Sequence, residues 1–341
     1  MKKRILAVLV PLLVPLFMGA AIGAGKLNTY MRPMLGTIVN LTIIAPSGET
    51  ASSAARAAFG EIERVEKLMS PHLAESDVSG INARAAEGPV RISADTFSVI
   101  TLAQEVSRLS GGAFDASFAS LGKLWDFSRE PFTPPEKHEI LRLLPLVNYR
   151  NIVLDKKNHT VRLTKKGMKI GLGGVAKGYA IGKAVEALKK HGVKDAIVEA
   201  GGDLKVIGSK FGAPWRVGLM HPREKSIILT LTLKDGESIV TSGDYERHAI
   251  HKGVRYHHII DPSTGFPAKG LVSVSVIAKD PARADAFATA LFVMGKEKAV
   301  ELLAKRKDLK AILIDNGMRI YASKDLKERM ASIDGLNISC F

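Results

Sequence analysis

The sequence predicts an α+β fold built largely on antiparallel sheets. Three observations carry this: strand-like segments outnumber helical ones, many follow each other directly along the chain, and tight-turn dipeptides join some of them. The clearest turn is Asn316-Gly317, between apolar segments 311–315 and 318–322, where a two-residue hairpin needs positive φ.

Element by element, residues 37–45 (TIVNLTIIA) are rich in β-branched residues and read as a strand after the Gly36 turn. Residues 52–69 place Ala55, Phe59, Ile62, Val65 and Met69 at helical spacing. A loop is expected over 70–85, then a helix over 94–109 that stops at Gly111-Gly112. The Pro-rich, charged segment 129–137 reads as a surface excursion. Strands are expected over 152–163 and 168–172, and a helix over 176–191 that ends at Gly192. Further strands follow at 196–200, 215–220, 227–233 and 272–278. In 227–233, Ile227, Leu229, Leu231 and Leu233 fall at alternate positions. A helix over 282–294 closes at Gly295 and another spans 296–305.

A chain of 341 residues with 46% hydrophobic residues can bury one large core or two packed ones. Charged residues at 24% and aromatics at 6% are ordinary for a folded enzyme and exclude wholesale disorder. No repeat and no heptad pattern is present. The net charge of +15 includes Lys2, Lys3 and Arg4, and the remaining lysines are scattered in short clusters such as Lys156-Lys157 and Lys165-Lys166. Without a long basic stripe, no nucleic-acid partner is expected; a solvated basic surface that favours a polyanionic small ligand is.

Residues 1–25 form a separate region. A positive Lys2-Lys3-Arg4 precedes an apolar stretch from residue 5 to 18 and the small residues 19–24. This is the layout of a secretory signal, and the stretch is also long enough to remain as a membrane anchor. Both readings put the rest of the chain outside the cytoplasmic membrane, in the periplasm or attached to the membrane's outer face. The division is therefore 1–25 signal peptide or anchor, 27–330 main folded domain, and 331–341 C-terminal tail. The single cysteine, Cys340, makes neither an intramolecular disulfide nor a metal cluster.

Several motifs carry chemistry. Gly171-Leu-Gly-Gly-Val-Ala-Lys-Gly-Tyr-Ala180 opens a helix, where backbone N–H groups and Lys177 can meet phosphate oxygens, or it is a plain turn. Asp285 and Thr289 stand four apart on an apolar helix and so share one face. They either hold a hard cation such as Mg²⁺, or cap the helix and bond a carbonyl one turn back. Within Tyr256-His-His-Ile-Ile-Asp-Pro-Ser-Thr-Gly265, His258 is the candidate general base. The nearby His248, His251 and His257 fit no standard zinc spacing. In Ser110-Gly-Gly-Ala-Phe-Asp-Ala116, Asp115 and backbone amides either read a heterocycle or form a helix exit.

Taken in order, Met34-Leu-Gly-Thr37, Gly-Gly-Ala-Phe-Asp115, Gly-Gly-Val-Ala-Lys-Gly-Tyr179, Ala-Gly-Gly-Asp203, Thr-Ser-Gly-Asp-Tyr-Glu-Arg247, His258-Ile-Ile-Asp-Pro-Ser-Thr-Gly and Asp285-Ala-Phe-Ala-Thr-Ala-Leu resemble the ApbE family of FAD:protein FMN transferases. The resemblance covers about residues 30 to 325. It implies a two-lobed α+β fold of tunnelling-fold-like kind with FAD, as substrate, between the lobes. It implies Mg²⁺ held by Asp285, Thr289 and the backbone oxygen of Gly174, and His258 as the group that removes a proton from the acceptor. Leu35, His72, Ala113, Phe114, Asp115, Gly171, Lys177 and Ile260 would line the FAD site. The implied reaction moves FMN to a threonine or serine in a flavinylation motif of a partner protein, a membrane redox subunit, and releases AMP. Gly171, Gly182, His72 and Leu35 stand where acid, Asp, Tyr and Met are common in the family.

Overall fold

The structure, a computed structural model, describes residues 25–332 and 336–341; the signal or anchor segment lies outside them, apart from Gly25. Its centre is a nine-stranded sheet whose spatial order is also its order in the chain. The strands are Lys26–Met34, Thr37–Ala45, Asp195–Ala200, Asp203–Ile207, Ser238–Gly243, Leu271–Ala278, Lys310–Asp315, Ile320–Ala322 and Ile338–Cys340. Every pairing in it is antiparallel except the last, where Ile338–Cys340 runs parallel to Ile320–Ala322. A meander needs no crossover between neighbours, which is the antiparallel α+β class expected from the sequence. Residues 338–340, in the segment set apart as a tail, form this edge strand of the sheet.

The helices are insertions into that meander: α1 (Gly48–Met69), α2 (Asp77–Arg84), α3 (Ala94–Leu109), α4 (Lys137–Leu143), α5 (Ala176–Lys190) and α6 (Pro281–Lys305). Ser47, Ser76 and Ser93 start α1, α2 and α3 by accepting the N–H groups of Thr50, Ser79 and Thr96, which satisfies donors that a helix leaves unpaired. The main core lies between one face of the sheet and α1, α3, α5 and α6; it joins Leu41 and Ile43 to Ile62, Leu188, Phe287 and Phe292. Each such side chain contributes roughly 1.5–3 kcal/mol by leaving water. A smaller core on the other face packs the hairpin Trp215–Met220/Ile227–Leu233 against Ile277, Ile312 and Ile320. Strand Leu271–Ala278, covered on both sides, is buried throughout. The helix α6 breaks at Gly295 (φ 74°), as its glycine predicts.

Three expectations are corrected. Residues 70–85 are not all loop, because Asp77–Arg84 forms α2; it is short and buries only Val78 and Ile81, too few for a visible helical period. Residues 168–172 are extended but form no strand. Their ladder is supplied by side chains and a helix carbonyl. Asn82 Oδ1 accepts from Ile170 N at 2.7 Å and its Nδ2 donates to Ile170 O at 2.9 Å. Ser120 Oγ accepts from Lys169 N at 3.0 Å, and Ala116 O from Gly171 N at 2.8 Å. The expected strand over 152–163 is a hairpin, Ile152–Asp155 with Thr160–Leu163.

Candidate active site

Helices α5 and α6 cross at Gly178. A Cβ there would lie 2.1 Å from the carbonyl oxygen of Pro281, so only glycine permits this approach. The crossing brings Asp285, one turn into α6, against the start of α5, where its Oδ2 accepts the N–H of Gly178 at 2.9 Å. The sequence left open whether Asp285 caps its own helix. It does not: Asp280 caps α6 through Ala282 N at 2.9 Å, and Asp285 serves α5, which has no side-chain cap of its own.

Lys177, next along α5, points its ammonium to Asp203, with Nζ 2.6 Å from Oδ2. Asp203 is 2% exposed and follows two glycines of positive φ at the head of its strand. Its Oδ1 accepts Thr241 N at 2.8 Å, while Oδ2 meets Lys177 as an ion pair without hydrogen-bond geometry. Two buried carboxylates therefore share one ammonium. Burial raises Asp203, against the pull of Lys177. Burial, then the charge of Asp203, pushes Asp285 up to about 7. Lys177 is lowered by burial, but Asp203 and Asp285 outweigh this and raise it on balance. Burial also raises Glu246, with Lys177 opposing. Desolvation disfavours each charged form, and neighbouring charges set the remainder.

Thr289, Gly174 and His258 lie near this cluster. Thr289 Oγ1 lies 3.3 Å from Ser242 Oγ. Gly174 faces both Thr289 and Phe114: a Cβ on it would fall 3.2 Å from Thr289 Oγ1 and 3.1 Å from Phe114 Cε2. The turn of Leu35 (φ 56°) and Gly36 is held by Glu66 Oε1, which accepts Leu35 N at 3.0 Å, and it comes near the Arg247 guanidinium. His72, exposed, lies just beyond the same end of α1. His258 donates its backbone N–H to Arg247 O at 3.0 Å, and its Nδ1 lies 3.3 Å from the same oxygen. That contact assigns the proton to Nδ1 and leaves Nε2 with a free lone pair. Burial, the main cause, holds the ring down to about 4, so it is neutral at ordinary pH.

Three predicted residues sit differently from the rest. The Asp115 carboxylate is occupied: Oδ1 accepts Ser117 N at 2.8 Å and Ser117 Oγ at 2.5 Å, and Oδ2 accepts Tyr149 N at 2.7 Å. At 6% exposure it holds the helix exit, and burial raises its pKa. Ala113 and Phe114 leave the same exit, with Phe114 N donating to Ser110 Oγ at 3.1 Å. The Ile260 side chain packs with Leu121, Trp125 and Ile140 in a satellite core. Gly171 is packed against the 3₁₀ turn Ala116–Leu121, where a Cβ would lie 3.1 Å from Ala119 Cβ. Sequence reasoning assigned no role to Asp203, Gly178 or Ser242. The acid after paired glycines was the one signal that pointed to Asp203.

Among the described residues no group of three or more histidine, cysteine and acidic side chains converges as a metal site. His248, His251 and His257 each bond a backbone carbonyl, those of Tyr245, Phe132 and Ala268.

The comparisons with known proteins place this α+β meander, with its buried acid–lysine cluster, among enzymes of the transferase class. A model of the ApbE family matches residues 35–313, and the chain belongs to that family. An FAD:protein FMN transferase of Treponema pallidum is 32% identical, across 93% of this chain and 92% of its own length. One from Klebsiella pneumoniae is also 32% identical, across 91% and 96%. Among solved structures, the ApbE protein of Thermotoga maritima superposes with a TM-score of 0.82 at 37% identity, covering 89% of this chain and 99% of its own. The flavin transferase ApbE of Vibrio cholerae gives 0.80 at 27% identity, with the same coverage.

Proposed function

We propose that this protein transfers FMN from FAD to a threonine or serine hydroxyl of an acceptor protein and releases AMP. The observation that carries the reading is the pair of buried carboxylates, Asp203 and Asp285, sharing the single ammonium of Lys177 beside the start of α5. That cluster is short of positive charge. Its other donors, Thr289 Oγ1 and the backbone of Gly174, are oxygens, which suits a hard divalent cation. Asp285, Thr289 and the Gly174 carbonyl would hold Mg²⁺. When bound, it neutralises charge on the pyrophosphate oxygens.

The chain's own residues supply the rest. Lys177 is fixed by Asp203 and presents a positive charge to the phosphates. Leu35, His72 and Phe114, with the backbone of Ala113, would line the flat rings of FAD. His258 Nε2 accepts the proton of the acceptor hydroxyl. The hydroxyl oxygen then forms a bond to the FMN phosphorus, the P–O bond to AMP breaks, and no covalent enzyme intermediate is needed.

The acceptor is read as a membrane redox subunit exposed outside the cytoplasmic membrane. The export-signal layout of residues 1–25 supports this, as does the basic surface of the chain. The test is incubation with FAD, Mg²⁺ and a candidate acceptor domain, followed by mass spectrometry of the acceptor. An added FMN on threonine or serine supports transfer. AMP and free FMN with an unlabelled acceptor would make the enzyme a pyrophosphatase, and absence of AMP would make it a flavin-binding protein.

A further inference from the structure

A cleft of about 280 Å³ lies beside the hairpin His248–His251/Val254–His257, which leads into His258. Its walls are Arg223, Arg255, His257 and Asp244, with Lys269 and Asn316 at the rim. None of the residues assigned above to transfer lines it.

The charges in the cleft do not balance. Asp244 is spent on Arg223, whose Nη1 and Nη2 lie 2.6 and 2.7 Å from its two carboxylate oxygens. His257 is satisfied as a neutral ring: Nε2 donates to Ala268 O at 3.0 Å and Nδ1 accepts Ile259 N at 3.3 Å. Burial, its main influence, lowers its pKa and keeps it uncharged. Arg255, by contrast, has a buried Nη1 with no hydrogen-bond partner. Neither it nor Lys269 takes part in an ion pair among the described residues. The cleft thus holds two cations, Arg255 and Lys269, that no acid among the described residues neutralises, and an anion between them would be held by charge-assisted hydrogen bonds.

We propose that this cleft is a binding site for a small oxyanion, phosphate or carboxylate, held by Arg255 and flanked by Arg223 and Lys269. The anion would also complete the polar lining that Asn316 begins at the rim. This inference does not rest on the transfer reading, because it concerns binding without FAD.

The test is isothermal titration of the full chain with inorganic phosphate, at an ionic strength held constant with chloride. Succinate is titrated in a parallel arm. Saturable binding of phosphate alone assigns the cleft to tetrahedral oxyanions, and of succinate alone to carboxylates; saturation by both supports the shared chemistry. Arg255→Gln should weaken binding about tenfold or more, and Lys269→Gln about threefold. No saturable heat from either anion overturns the proposal, as does binding that Arg255→Gln leaves intact. Circular dichroism confirms that each variant is folded. Should Arg255→Gln fail to fold, the exposed Lys269→Gln carries the same decision.

Discussion

Asp285 and Gly178 are joined across two helices: the carboxylate of α6 accepts the backbone N–H of α5 at 2.9 Å. The glycine-rich opening of α5 looked in sequence like a cradle for phosphate. In the structure one of its donors, the N–H of Gly178, is already taken by a protein carboxylate. The bond also explains the glycine, because any Cβ at 178 would strike Pro281 O. Gly178→Ala should force the helices apart and destabilise the fold by about 3 kcal/mol. Urea denaturation measures this; a variant within 1 kcal/mol of wild type, on the same order as experimental scatter, would mean that the crossing is looser than described.

Asp285→Asn separates the structural part of that carboxylate from its charge. The amide oxygen can still accept Gly178 N–H, so the fold should hold. FMN transfer should drop roughly hundredfold or more, since the charge that would hold the cation is gone. Mass spectrometry of the labelled acceptor over time gives the rate. Undiminished transfer by a folded Asn variant would remove Asp285 from the chemistry.

Lys177 and Asp203 should behave as one unit. Removing the ammonium in Lys177→Met leaves two buried acids facing each other, at a cost of roughly 3–5 kcal/mol. Asp203→Asn relieves that repulsion, so the double variant should lose clearly less than the sum of the singles, by 1 kcal/mol or more. Additive losses in denaturant unfolding would show that the two are not coupled.

Asp115→Ala tests a residue whose sequence reading allowed two roles. Its carboxylate joins the helix exit to Ser117 and Tyr149, so the substitution strands buried donors and should cost about 1–3 kcal/mol. Guanidinium unfolding should show that loss. A variant of unchanged stability with weakened FAD binding would return Asp115 to the ligand site.

How much of this was legible depends on the length scale of each signal. The antiparallel class was readable because the meander keeps sheet order and chain order the same. The pairing of Asp285 with Thr289 was readable because a four-residue spacing is local to one helix. The stop at Gly295 was local too. What escaped was decided by contacts across the chain. Asn82 supplies the hydrogen bonds of Ile170 from 88 residues away, so 168–172 looks like a strand and is not one. Asp203 is as ordinary in sequence as any acid after a turn, and only its burial beside Lys177 makes it part of the site. Gly178 resembles its neighbouring glycines until Pro281 is placed against it. The orphaned Arg255 could not be found at all without knowing which acids Arg223 had already taken.

His258 carries a prediction about pH. Burial holds its folded pKa at about 4, below the ordinary value of 6.5. A histidine depressed in this way is protonated first in the unfolded chain. Its stabilising contribution is therefore complete above about pH 6.5 and is lost as pH falls from there toward about 4. Between pH 7 and pH 5 the loss due to this ring should be about 2 kcal/mol. His258→Gln has no proton to gain and should show a correspondingly shallower decline over the same interval, measured by urea unfolding of the metal-free protein. Parallel declines in the two proteins would mean that the ring is better solvated than its surroundings indicate. It would then be partly protonated near pH 6, and transfer should fall as pH drops below about 7. A shallower decline in the variant, together with wild-type transfer that holds steady from pH 8 down to pH 6, would agree with a base that stays neutral across that range.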